Sequence, residues 1–396
     1  MRIVLSFFLC ALIFSSNAQV WNQIVNFPGD PRDDASTFTI NNHVYCGLGM
    51  NTWFSCTSDF KVFDVTTETW SNGVNLPTGQ ERQYANAFSY QGFGYVFAGI
   101  NGSGTYLTDC WKFNPQTNAW IALPALPSST GKAGAVSFLI GDTVYIVGGK
   151  TIGGLISNEV WAFDLIQEQW IQKANVPFDG IWRGVAFSWN DTGIIGLGKL
   201  TNGTLNAGCY QYSPNSDTWQ LINQLNLTPT TYSMFAQIGK FGFIYGGAEE
   251  NQSYSNQFLR INLETWETTI LTSFPATARK GGVAFVGNND FYITTGVSSQ
   301  ARLNETWKAS EILGLDGENE LDHVQIYPNP MKNFMVVQSE QMIQRIEIQT
   351  ISGEVVAVYK VNLQQIELPI ELESGVYFVK LVSKGAEYTD RICVQN

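Results

Sequence analysis

The chain has 396 residues, with 34 acidic side chains against 22 basic ones, a net charge of −12 and two histidines. That balance excludes a nucleic-acid binder, whose phosphates require basic surface. With only His43 and His323 and no C-x-x-C pair, a Cys/His zinc site is excluded too, and no cofactor is expected. At the N-terminus, Arg2 precedes an apolar run from Ile3 to Phe14, and Ser16 and Ala18 place small residues at −3 and −1 before Gln19. This is signal-peptide rather than membrane-span length, so residues 1–18 are expected to be removed on export. Cys10 follows Phe8 and Leu9 and sits too early to serve as a lipoprotein anchor. The mature chain keeps 21 basic residues, for a net charge of −13. It has no later stretch approaching the ~18 apolar residues of a membrane span, so it is expected to be soluble. Five cysteines remain, an odd count, and Cys46 with Cys56 is the only locally plausible disulfide.

A repeat of about 50 residues follows. Gly49, Gly99, Gly149, Gly198, Gly247 and Gly296 each close an apolar run, at spacings of 50, 50, 49, 49 and 49. Trp70, Trp120, Trp170, Trp219 and Trp266 come 19 to 21 residues after their glycines, and Phe63, Phe113, Phe163 and Tyr212 precede the first four by seven. In the fifth repeat a shortened turn puts Ile261 in that place. Each unit reads as four strands. The first is a run such as Ala85–Tyr90, and a tight turn (Gln91-Gly92, Gly141-Asp142 or Asn190-Asp191) leads to the glycine-ending second. A loop of nine or ten residues leads to the third, and the tryptophan opens the fourth. Several short strands at a fixed period of this size are the signature of a propeller.

The glycine pairs Gly148-Gly149 and Gly246-Gly247, with the separated aromatic and tryptophan, resemble the kelch repeat. The resemblance covers Trp21 to about Ser310, although Leu48, Ala98, Leu197 and Thr295 replace the first glycine in four units. The sixth unit reaches Trp307 but has no fourth-strand tryptophan. Trp21 precedes Gly49 by 28 residues, close to the 28 to 30 found elsewhere. The mature N-terminus is therefore expected to supply the outer strand of the last blade and close the ring. The expected fold is all-β: a six-bladed kelch propeller over residues 19–310, then a small immunoglobulin-like sandwich.

Residues 311–323 read as an acidic linker without EF-hand spacing. From Val324, three strand-rich segments have turns at Ser352-Gly353, Ser374-Gly375 and Lys384-Gly385. Tyr327 to Pro330 (Tyr-Pro-Asn-Pro), an Ile-Ser-Gly turn and a late Gly-Val-Tyr strand resemble the type A C-terminal sorting domain of type IX secretion. The resemblance covers residues 324–396. It implies Sec export to the periplasm, then outer-membrane passage through the type IX machinery to the surface or medium, with outer-membrane attachment through the same pathway left open.

Candidate ligand residues lie where the chain leads into each inner strand. Arg32, Arg82, Lys132, Arg183 and Arg279 recur about 50 apart, with Tyr232 in their place in the fifth unit. Around a channel mouth their planar donors could grip a carboxylate or hydroxyls. Because the base recurs with the repeat, the favoured reading is that each one satisfies backbone carbonyls between blades. Trp53, beside Phe54, and Trp182, beside Arg183, depart from the repeat and suit stacking on a sugar or anchoring a protein. The reading is a binding module for an extracellular protein or glycan. The alternative is a sugar-active enzyme of the sialic-acid mutarotase type, a family of six-bladed kelch propellers, with Glu81, Glu249 or Glu250 among the arginines. Copper chemistry is excluded by the lack of histidine ligands, and no catalytic triad or phosphate loop is present.

Overall fold

A computed structural model describes residues 20–128, 131–222, 225, 227–310, 312, 324–350, 354–383 and 386–395. The expected signal peptide, the linker apart from Ile312, and the turns at Ser352-Gly353 and Lys384-Gly385 lie outside the described residues. The chain divides into two compact units, Met1–Ile312 and Leu313–Asn396.

The first unit is a propeller of six four-stranded antiparallel sheets. Blade one runs Ser36–Ile40, His43–Gly47, Phe60–Asp64 and Thr69–Asn72. The inner strands of the next five blades begin at Asn86, Val136, Val185, Met234 and Val283. Blade six takes its outer strand from the other end of the chain. Val20–Ile24 pairs antiparallel with Thr306–Ser310, Trp21 opposite Ala309, so the ring closes as the Trp21 spacing predicts.

Local chemistry accounts for the strand ends. The Asp64 carboxylate accepts hydrogen bonds from the amides of Thr66 and Thr67 (2.8 and 3.2 Å), and Asn114, Asp164 and Asn262 do the same in their blades. Such side-chain-to-backbone bonds fix the turn before the tryptophan. Inside the blades, aromatic pairs stack across the first two strands: Phe38 on Tyr45, Phe88 on Tyr95, Phe138 on Tyr145 and Phe285 on Tyr292, with centroids 4.9–5.1 Å apart. A Cβ on Gly94 would lie 2.1 Å from the Phe38 ring, so only glycine admits that aromatic from the neighbouring blade.

The outer tryptophans couple blades through their indole N–H. Trp70 donates to the carbonyl of Val25 (3.2 Å), Trp120 to Val74 (3.0 Å), Trp170 to Pro124 (3.0 Å), Trp219 to Ala174 (3.0 Å) and Trp21 to Thr272 (3.1 Å). Each acceptor lies just beyond the outer strand of the preceding blade. Trp266 stands apart: it falls in the shortened turn, at φ +64°.

The second unit is sandwich-like and built on a five-stranded sheet. Phe334–Thr350 pairs with Val355–Pro369 along one side, and with Gln325–Tyr327 and Gly375–Ser383 along the other; Ala386–Val394 completes it. Register shifts after Gln338 and Ile343 bend the long strand. Met331, Met335, Val337, Ile346, Leu381 and Ile392 are among the side chains of its own core.

Candidate functional site

Two closed circuits of backbone hydrogen bonds define the register around the propeller axis. In the first, the amides of Gly49, Gly99, Gly149, Gly198, Gly247 and Gly296 donate to the carbonyls of Arg82, Lys132, Ile181, Thr230, Arg279 and Arg32, at 2.7–3.2 Å. In the second, nearer the axis, the amides of Asp34, Tyr84, Gly134, Arg183, Tyr232 and Gly281 each donate to the carbonyl of the member before, at 2.6–3.3 Å, with Gly281 completing the circle. All six members of the second circuit have φ between +57° and +65°. Two are glycines, for which this conformation carries no steric cost; Asp34, Tyr84, Arg183 and Tyr232 adopt it under the constraint of the closed ring.

This register corrects the series of bases read from the sequence. Arg32, Arg82, Lys132 and Arg279 are equivalent, but the fourth blade has Ile181 and the fifth Thr230 at that position. Arg183 and Tyr232 belong to the axial circuit, two residues further on. The true members do not open onto the channel mouth. Arg32, Arg82, Lys132 and Arg279 are at most 1% exposed, and they pair with Asp59, Asp109, Glu159 and Glu305 at 2.5–2.9 Å. Each arginine also donates to the carbonyl before its blade glycine, on Leu48, Ala98 or Thr295. Those three residues sit at φ +59° to +61°, where the glycine-pair pattern would place glycine. The guanidinium therefore satisfies a buried carbonyl on strained backbone. Blades without the base use other donors, the Asn206 amide to Leu197 and the Ser233 hydroxyl to Gly246.

At the axis, Arg183 Nη2 meets Asp34 Oδ1 at 2.5 Å. The guanidinium carbon lies 4.9 Å from the Tyr84 ring centroid and 4.6 Å from that of Tyr232. Burial pushes the Asp34 carboxyl up to about 6, with the Arg183 charge opposing it. Burial likewise raises both tyrosine hydroxyls, Tyr232 to about 12. This cluster stands at the end of a central cavity of about 480 Å³ lined mainly by inner strands.

Beside it, across Tyr232, lies a pocket of about 250 Å³. Blades three to six contribute to it Lys150, Trp182 with Lys199, Tyr232 with Glu249 and Glu250, and Lys280. Trp182 is 7% exposed and meets Tyr232 edge-on at 5.1 Å. Lys150 Nζ sits 3.6 Å above the Trp182 ring, and Lys280 Nζ is 4.9 Å from Tyr232 and 5.0 Å from Tyr254. Burial, helped by the charge of Lys199, lowers the Lys150 ammonium below its ordinary value.

Of the residues singled out from the sequence, Trp182 is brought to this pocket with Arg183 beside it, while Arg82 is not. Trp53 is 80% exposed in the loop after the second strand of blade one, next to Phe54, over whose ring Arg302 lies at 4.5 Å. Glu81 lines a separate shallow depression with Phe54 and Cys56. Cys46 and Cys56 are both free, Cys46 within a strand and fully buried, so that disulfide does not form. Sequence reasoning missed Asp34, Tyr84, Lys150, Lys199 and Lys280. A signal existed for two of them, since a lysine follows the blade glycine only at Gly149 and Gly198.

Among the described residues no group of three or more His, Cys, Asp or Glu could hold a metal, and no helix is long and apolar enough to cross a membrane. Residues 325–395 match the family model of the secretion system C-terminal sorting domain, and residues 95–127 match the kelch motif. No curated protein matches the sequence. Among solved structures the chain is similar to that of YjhT, at 19% identity and a TM-score of 0.59, over 72% of this chain and 96% of that one. At that identity the likeness bears on the fold alone.

Proposed function

The chain is a kelch-type propeller ending in a type IX secretion sorting domain, and from that premise we propose that it is an extracellular binding module whose ligand sits in the pocket over blades three to six. The sorting domain implies secretion or cell-surface location and engagement with the secretion machinery. In this reading the N-terminal leader takes the chain through Sec to the periplasm, and the tail takes it onward. Removing residues 324–396 should then leave a folded propeller retained in the periplasm, and normal surface levels of the truncated chain would refute the division of labour.

One observation carries the choice of pocket: Trp182 under Lys150 departs from the repeat. The positions equivalent to Trp182 hold Asp33, Gln83, Ala133, Thr231 and Lys280; those equivalent to Lys150 hold Met50, Ile100, Lys199, Ala248 and Val297. Side chains that recur with the blades maintain the ring, as Arg32, Arg82 and Arg279 do. Side chains that do not recur, gathered in one concavity with aromatic walls and converging polar groups, are free to serve a ligand. Arg183 supports the pocket by holding Tyr232 in place, and Trp53 is a second, outlying contact for a ligand large enough to reach it.

The test is binding of the mature chain to arrayed extracellular proteins and glycans, repeated with Tyr232→Ala and Trp53→Ala. Loss on Tyr232→Ala, with the folded fraction unchanged, supports the pocket. Loss on Trp53→Ala alone would move the site to the exposed loop. The sugar-active alternative of the mutarotase type has Glu249 and Glu250 in the same pocket in its favour, and an anomer-exchange assay on any bound sugar separates it from simple binding.

A further inference from the structure

We infer that the blade-one loop carrying Trp53 and Phe54 is a docking surface for another protein, one that presents a lysine or arginine beside an apolar side chain. This surface stands apart from the pocket over blades three to six, and the inference does not depend on that reading. Its starting point is one position in the loop between the second and third strands. Gly104, Gly154 and Gly203 fill it in blades two to four, at φ +83°, +77° and +90°, and the polar Gln252 fills it in blade five at φ +68°. Each donates its amide to the carbonyl three residues back. Blade one has Phe54 there, at φ +59°, with the same bond to the Asn51 carbonyl. That conformation strains a residue with a bulky side chain. Burial does not offset the strain, because Phe54 is 73% exposed and its neighbour Trp53 is 80% exposed. The loop is nevertheless held in place. The Asn51 side-chain oxygen accepts from the amides of Trp53 and Ser55 at 3.0 and 3.1 Å. Arg302 of blade six, fixed by Asp33 at 2.6 Å, lies over the Phe54 ring at 4.5 Å. Aromatic rings that are already ordered lose little entropy when a partner covers them, and tryptophan is prominent among the residues that dominate such contacts.

Charge selects the partner. Glu81 lines a depression of about 380 Å³ beside Phe54, with Asn101 and Ser103 of blade two on its far side. Asp30 lies against the Asn51 side-chain amide at 3.3 Å. Neither carboxylate makes an ion pair among the described residues. The Arg302 guanidinium beside the rings is already neutralised by Asp33. Within the depression, burial first and then the charges of Asp34 and Glu81 push the Cys56 thiol up to about 11, so the field there is negative. A negative field next to two apolar rings repels anionic lipids and acidic glycans and attracts an ammonium or guanidinium. Glu81 Oε1 accepts one bond, from the Gly79 amide at 3.3 Å, and the carboxylate keeps further acceptor capacity. The partner's basic side chain enters the depression towards Glu81, and its apolar neighbour covers Trp53 and Phe54. A neutral sugar could stack on the rings but would make no use of the charge beside them.

The experiment is selection of a displayed library of random dodecapeptides on the mature full-length chain, with the double variant Trp53→Ala, Phe54→Gly as counter-selection. Peptides retained only by the parent are synthesised and titrated calorimetrically. Enrichment of lysine or arginine next to aromatic or aliphatic residues supports the inference. Affinity should fall about tenfold or more on Trp53→Ala, and about threefold on Glu81→Gln, the latter difference shrinking in added salt. Phe54→Gly separates contact from framework. It should weaken binding while leaving the melting temperature within about 2 °C of the parent, since glycine adopts the same φ without strain. A melting temperature lowered well beyond that, with affinity intact in the folded fraction, would overturn the contact role. Enrichment of acidic peptides, or of no peptide that the counter-selection removes, would overturn the inference. Peptide binding lost on Tyr232→Ala and kept on Trp53→Ala would place the peptides in the other pocket and overturn this surface, whereas failure here leaves that pocket's own test untouched. Three other occupants are tested with Trp53→Ala as the reference. Sedimentation over a range of concentrations reports a second copy, co-sedimentation with phosphatidylglycerol–phosphatidylcholine vesicles a lipid surface, and titration with cello-oligosaccharides a neutral glycan. Any of these associations that Trp53→Ala abolishes would overturn the protein partner.

Discussion

Replacing Arg82 by Ala separates the two roles its position suggests, blade maintenance and ligand contact. Its guanidinium is fully buried and donates to both carboxylate oxygens of Asp109 (2.9 and 2.7 Å), to the Ala98 carbonyl (3.0 Å), and to the backbone and side chain of Gln80 (3.0 and 2.6 Å). Breaking a buried ion pair from one side costs about 3–5 kcal/mol. Two features place this case at the low end. The Asp109 side chain is 33% exposed, so water can reach it once the arginine is gone, and it keeps the bond from Trp111 Nε1 at 2.5 Å. The Ala98 carbonyl, in a residue 1% exposed, has no such recourse, and an unsatisfied buried acceptor alone accounts for about 1–3 kcal/mol. The expected loss is therefore about 3 kcal/mol, a fall of roughly 6–12 °C in the melting temperature of the propeller transition. Urea and thermal unfolding of Arg82→Ala measure the loss, and titration of the folded fraction with any ligand identified for the pocket should show unchanged affinity. Lys199→Gln is the control, with stability within about 0.5 kcal/mol of the parent. An Arg82→Ala protein melting within 2 °C of the parent and binding poorly would refute the structural role.

Two further predictions concern closure and the axis. Deleting residues 20–28 removes the outer strand of blade six, together with the Trp21 ring 5.0 Å from Phe274 and the buried Phe27. The propeller should lose at least the ~3–5 kcal/mol of one large buried aromatic, and an unchanged melting temperature would exclude N-terminal closure. For Asp34 the folded pKa, about 6, lies above the ordinary carboxylate value. The native state then binds the proton more tightly than the unfolded chain. Stability from this group is present at low pH and is lost as pH rises through the window from about 4 to about 6. Asp34→Asn, with a residue that tolerates φ +57°, should remove that slope, and a parallel pH–stability curve in the variant would count against burial as the cause.

Much of this architecture follows from sequence spacing alone. Six glycines near a 50-residue period set the number of blades, and the distance from Trp21 to Gly49 located the missing strand, because strand length and blade size leave little room for other connections. The Tyr327–Pro330 motif likewise marked the sorting domain, since its signature is local. The role of the bases was also encoded, in an interval that the spacing of the bases themselves did not expose: Arg32, Arg82 and Lys132 each precede a carboxylate by 27 residues, and Arg279 precedes Glu305 by 26. Arg183 has Tyr210 at 27, so it never belonged to that series. The tertiary structure alone decided the axial cluster and the pocket. Asp34 and Arg183 are 149 residues apart, and Lys150, Lys199 and Lys280 come from three blades. Repeats report what each blade does for its neighbours, whereas a site formed by departures from the repeat exists only after ring closure brings distant blades around one axis.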